Sequence, residues 1–171
     1  KSLGGEGGHG VLILSPRAVE RLENYIPSWP IPKLFRLTFK GKLNEGIFGV
    51  ATINTPSMLV VEDAIDALNW AKSIGGLPAL IARSNASLDA VKSWIAKTPY
   101  FGFLAQDPAT ISNTGITLSI IDPWFVALDD LAKKAVASWL EKALQKEGVA
   151  LDAASYRDAP PGLRIWAGPT V

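Results

Sequence analysis

Cysteine is absent from the 171-residue chain, and histidine occurs once, at His9. The first absence removes disulfide scaffolds, thiolate metal sites and cysteine nucleophiles together. The second rules out an HExxH zinc site and leaves any Ser-His-Asp triad dependent on His9, so no metal site is expected. A cysteine-free chain fits a reducing compartment, and the cytoplasm is the expected location. Long apolar runs are missing as well. Residues 11–14 (VLIL) and 58–61 (MLVV) are far too short to cross a bilayer, and the glycine-rich start lacks the apolar stretch of a signal peptide. Nor does either charge dominate: seventeen basic and sixteen acidic residues are interspersed at a net charge of +1. No basic stripe is available to track a phosphodiester backbone, so neither nucleic acid nor a membrane is an expected partner. No short unit recurs at a fixed period, which sets repeat architectures aside.

What is present is a hydrophobic fraction of 48%, ample for a packed core. Residues 11–14 form a compact apolar run ending at Ser15-Pro16 and read as a buried strand, with a short helix over 17–25. Three prolines keep residues 26–32 extended, and 33–39 suit a strand or an ordered loop. Thr55 is placed to cap a helix with Pro56 at its first position. Leu59, Val60, Ala64, Leu68, Ala71 and Ile74 then recur at helical spacing until Gly75-Gly76. A second helix follows from Leu77-Pro78 to about Thr98-Pro99. Ile116, Leu118 and Ile120 alternate with Thr117 and Ser119 as a strand does. Asp129-Asp130 opens a third helix with Leu131, Ala135, Trp139, Leu140 and Leu144 as its apolar positions and Gly148 as its stop, and residues 163–166 form a last strand. This order predicts an α/β chain in which residues 1–76 close one layer and 77–171 build a small α+β domain.

The most unusual stretch is the opening KSLGGEGGHG. Residues 5–10 satisfy G-x-G-x-x-G, the dinucleotide fingerprint, but that motif must follow a strand and open a helix, whereas these glycines precede the apolar run. On composition alone the glycines read as a surface loop, Lys1 as a solvated lysine, Thr55 as an N-cap and Arg164 as one half of a surface salt bridge. A noncatalytic binding domain with a glycine linker is consistent with all four.

Three blocks, taken together and in order, carry a resemblance. KSLGGEGGHGVLILSPR at residues 1–17, NTPSM at 54–58 and YRDAPPGLR at 156–164 are similar to phosphoserine aminotransferases of a bacterial and archaeal subgroup. The resemblance spans essentially the whole chain and the C-terminal half of that family. It implies the end of the large α/β domain of a fold-type-I enzyme followed by a small α+β domain. It also implies pyridoxal 5'-phosphate as cofactor, a homodimer, and amino transfer between glutamate and 3-phosphohydroxypyruvate in serine biosynthesis. By position Lys1 corresponds to the lysine that binds the cofactor covalently, and small residues beside it leave room for the cofactor. Such a lysine must attack as a neutral amine, which desolvation or neighbouring positive charge favours.

Asn54 and Thr55 match the pair that binds the cofactor phosphate of the partner subunit, and a following helix start adds free amides and partial positive charge. Arg164 matches the arginine that takes the substrate α-carboxylate, where a planar guanidinium can pair both oxygens. Arg157 is a candidate for a second anionic group, and His9 for substrate contact or for fixing the loop. More widespread members carry K-x-x-G-P-A-G after the lysine and a His-Arg pair where this chain has Tyr156-Arg157. Aminotransferases acting on alanine, serine or glyoxylate share the fold and the lysine, and remain the alternative. A lysine at the first position and a plain strand end at Val171 lead to the expectation of a piece of a longer protein, inactive by itself.

Overall fold

Helix α1 (Pro16–Asn24) starts where Ser15 and Pro16 direct it. Ser15 Oγ accepts from the Ala18 amide at 3.2 Å, and Pro16 occupies a first-turn position where its missing N–H costs nothing. In this computed structural model, which describes residues 10–49 and 51–171, the expected strand over 11–14 does not form. Val11 and Ile13 are more than four-fifths exposed. A strand exists only where a neighbour takes its amides and carbonyls, and no described residue pairs with this run.

The chain divides into two compact units, one ending at Asn69 and one spanning Trp70–Val171. In the first, residues 33–39 are partly both of the expected alternatives. A 3₁₀ turn covers Lys33–Phe35, and strand β1 (Thr38–Phe39) pairs antiparallel with β2 (Lys42–Leu43). Lys40 and Gly41 both take left-handed backbone angles, with φ of 51° and 77°, as the tightest hairpin turn requires. Glu23 of α1 clasps this hairpin. Its two carboxylate oxygens accept from the Leu43 amide and from Lys42 Nζ, each at 2.9 Å.

The Leu43 amide first, and then Lys42, hold the Glu23 carboxyl below the ordinary carboxylate range. A group lowered in this way stabilises the fold above its unfolded value and loses that contribution as the pH falls through its folded value. Acidification below the ordinary carboxylate range should therefore lower the protection factor of the Leu43 amide, the ratio of the unstructured exchange rate to the observed one at the same pH, in the native protein. In Glu23→Gln the protection factor should already be low at neutral pH and change little on acidification. Equal protection in both proteins at neutral pH would remove the clasp.

Helix α2 (Met58–Ser73) begins two residues later than Pro56. Thr55 is not its cap: Ser57 Oγ lies 3.5 Å from the Val60 amide and the Ser57 carbonyl accepts from Val61. With Asn54, Thr55 and Ser57 all eligible, sequence preference could not choose among them. Gly75 and Gly76, with φ of 111° and 67°, end the helix as expected. Helix α3 (Gly76–Ile95) follows at once and runs through Ser84–Ser87 without interruption, because Ser84 and Leu88 are buried on its inner face.

The second unit is built on a three-stranded antiparallel sheet. Its order is β3 (Phe101–Phe103), β4 (Gly115–Ile120), β5 (Gly162–Trp166). The register pairs Leu118 with Leu163 and Ile116 with Ile165, which puts all four on one face. There they meet Leu88 and Val91 of α3, and Leu140 and Leu144 of helix α5 (Asp130–Lys146), around the fully buried Ile116. Strand β3 and the single-turn helix α4 (Pro123–Val126) were not expected from the sequence. Asp129 caps α5, accepting from the Ala132 amide at 2.8 Å, and Gly148 beyond it has φ of 68°.

One apolar stripe is corrected. Leu131 and Trp139 are exposed, at 80% and 67%, and Ala135 is exposed with them, whereas Ala137, Leu140 and Leu144 face the sheet. Both lines have helical spacing, so periodicity could not separate them. The chain is thus a mixed helix-and-sheet structure with the expected α+β block toward its end. Among the described residues no helix is long and apolar enough to cross a membrane.

Candidate anion-binding site around Arg164

Arg164 sits in the middle of β5, opposite Thr117 of β4. Strand alternation puts it with Trp166 on the face turned away from Leu163 and Ile165. Its amide donates to the Ala153 carbonyl at 2.8 Å, which ties the strand to the segment before it. The side chain is 13% exposed. Nη2 donates to Asp152 Oδ2 at 2.8 Å and to the Asp152 carbonyl at 3.2 Å. The guanidinium carbon lies 4.4 Å from the centre of the Tyr156 ring, within cation–π distance. Nε is buried and finds no acceptor among the described residues.

This is more than an exposed salt bridge. The Asp152 side chain is 85% exposed, but the arginine is largely withdrawn from water and one of its donors is unfilled. Leaving a buried N–H without an acceptor costs about 1–3 kcal/mol.

Arg157 lies in the loop between Asp152 and β5. It lines a cleft of about 350 Å³ against α5, together with Lys134, Ser138, Glu141 and Tyr156. Tyr156 is common to both arginines: it stacks under Arg164 and also lines the Arg157 cleft. Arg157 forms no ion pair among the described residues. No group of three or more carboxylate or imidazole side chains able to hold a metal occurs among the described residues.

Asn54 and Thr55 belong to the first unit, in the exposed segment that leads into α2. Neither caps the helix; both precede its first turn, where Ser57 lies against the Val60 and Val61 amides. Around them Met58 and Leu59 are exposed at 64% and 72%. Lys1 and His9 lie outside the described residues. Reading the sequence missed Asp152 and Tyr156 as the partners of Arg164. The replacement of a His-Arg pair by Tyr156-Arg157 marked the tyrosine's position but not its contact. Asp152 carried no signal, because its reach to Arg164 depends on a left-handed backbone with φ of 51°.

No family model matches the chain. Among curated relatives, a protein named phosphoserine aminotransferase from Methanosarcina barkeri is 52% identical over all 171 residues, and one of the same name from Methanosarcina mazei is 50% identical over the same length. A protein of that name from Nocardioides sp. is 29% identical over 109 residues, 63% of the chain and 28% of the relative. The chain spans 44% of the length of each of the two Methanosarcina proteins. With identity near one half sustained from end to end, the chain belongs to the phosphoserine aminotransferase family and matches the C-terminal part of its members.

Proposed function

We propose that the whole protein is a pyridoxal-phosphate-dependent phosphoserine aminotransferase. It moves an amino group from glutamate to 3-phosphohydroxypyruvate, giving O-phosphoserine and 2-oxoglutarate, as a cytoplasmic homodimer in serine biosynthesis. The observation that carries this reading is the 52% identity over all 171 residues. The Arg164 guanidinium, largely withdrawn from water and held by Asp152 and Tyr156, supports the reading of a carboxylate-binding group. In this reading residues 1–76 close the cofactor-binding domain and residues 77–171 form the small C-terminal domain.

The residues present suit the cofactor. Asn54 and Thr55 offer side-chain donors just before the positive end of α2, a setting for a phosphate dianion, and their exposure leaves them open to a group bound by a partner subunit. When bound, pyridoxal phosphate supplies an electron sink at its pyridine ring. The Lys1 amine would hold the cofactor and would move the proton at substrate Cα. Arg164 fixes the substrate α-carboxylate through a charge-assisted hydrogen bond, so that the Cα proton is presented to the lysine. Arg157 and His9 contribute secondary substrate contacts.

Borohydride reduction of the purified whole protein with pyridoxal phosphate, followed by peptide mass mapping, tests the reading without an activity assay. The expected product is a pyridoxyl group on Lys1. An adduct confined to other lysines, or no adduct, removes the assignment.

A further inference from the structure

Arg164 is the best-defined functional group in the described residues, and its surroundings say more than that it binds an anion. A guanidinium on a long side chain ordinarily rotates freely, and a substrate must then bear the entropy of ordering it. Here two neighbours remove that freedom in different ways. Asp152 takes Nη2 with both its side-chain and its main-chain oxygen, at 2.8 and 3.2 Å, which fixes the guanidinium at one edge. The Tyr156 ring lies 4.4 Å from the guanidinium carbon, which restricts its movement on that side.

The backbone at Asp152 is arranged for this double contact. Its φ of 51° is a left-handed conformation that aspartate tolerates better than most residues, and it turns carboxylate and carbonyl toward the same nitrogen. Both partners act on Nη2 or on the ring face, and neither uses Nε, which is buried and has no acceptor among the described residues.

We propose that Asp152 and Tyr156 are positioning residues that hold the Arg164 guanidinium in one orientation for the substrate carboxylate. Neither touches substrate. The proposal rests on the reading of Arg164 as the carboxylate-binding residue.

The test is steady-state kinetics of the whole protein with glutamate, combined with circular dichroism and thermal melting. Asp152→Ala and Tyr156→Leu are each expected to raise KM for glutamate about tenfold with kcat within about twofold, since a contact made equally in ground and transition states acts on KM alone. Tyr156→Phe keeps the ring, and Asp152→Asn keeps both oxygen acceptors, so each should restore KM to near the wild-type value. Arg164→Lys serves as the reference and should raise KM more than either partner variant.

If Arg164→Lys raises KM while Asp152→Ala and Tyr156→Leu do not, the positioning role is overturned and the carboxylate reading stands. If Arg164→Lys leaves KM unchanged, the carboxylate reading fails and this proposal fails with it. A KM effect in Tyr156→Leu that Tyr156→Phe shares, or one matched by a lowered melting temperature in both, also overturns positioning by the ring.

Discussion

Replacing Lys1 by alanine in the whole protein is expected to lower kcat by about 10²–10⁴-fold, the usual worth of a positioned proton-transfer group. The argument is chemical. Proton movement between substrate Cα and cofactor C4′ needs one group that reaches both atoms and works at neutral pH. Lys1→Arg should be nearly as slow, because a guanidinium keeps its proton at any ordinary pH and cannot condense with an aldehyde. Steady-state assays with glutamate and 3-phosphohydroxypyruvate, at matched protein folding, measure the loss. A residual rate within tenfold of wild type would show that another group does this work.

Gly162→Ala is expected to be the most damaging small substitution in the second unit. Gly162 opens β5 opposite Ser119, and a Cβ built there runs into the Leu118 carbonyl oxygen of β4 well inside contact distance. The obstacle is backbone and cannot rotate away, so the ladder must open at its first rung. Overpacking of this kind costs about 1–3 kcal/mol and occasionally more, and about 2–3 kcal/mol is expected here because a main-chain atom must move. For a unit of this size that corresponds to a fall in melting temperature of roughly 10–20 °C.

Arg164 lies two residues further along the same strand, so the variant should also raise KM for glutamate. Gly115→Ala is the matched control. It opens β4 of the same sheet, but its Cβ meets nothing within 4 Å, and its stability should stay within about 1 kcal/mol of wild type. Equal melting temperatures for the two variants would contradict the close approach at Gly162.

Local signals read correctly wherever one residue type settles a local question. Asp129 before α5, Gly75-Gly76 after α2 and Gly148 after α5 act through side-chain capping or positive φ, both of which are properties of a few adjacent residues. The alternation of Ile116 and Leu118 was equally readable, because one covered sheet face imposes a period of two. Reading failed where two local answers were equally good. Thr55 and Ser57 are both acceptable caps, and the lines through Leu131 and through Ala137 are both acceptable inner faces, so packing against the sheet decided between them.

By itself, then, the sequence determined the mixed helix-and-sheet class, the helices α1, α2, α3 and α5, the strands β4 and β5, and the family, and it singled out Lys1, His9, Asn54, Thr55, Arg157 and Arg164 as candidates. Tertiary structure alone decided that residues 11–14 are no strand, that β3 joins the sheet, and that Arg164 is gripped by Asp152 and Tyr156 with Nε left over. The physical reason is the same in each case. Strand pairing and guanidinium contacts are made between groups distant along the chain, and their energies depend on distances that no local pattern encodes.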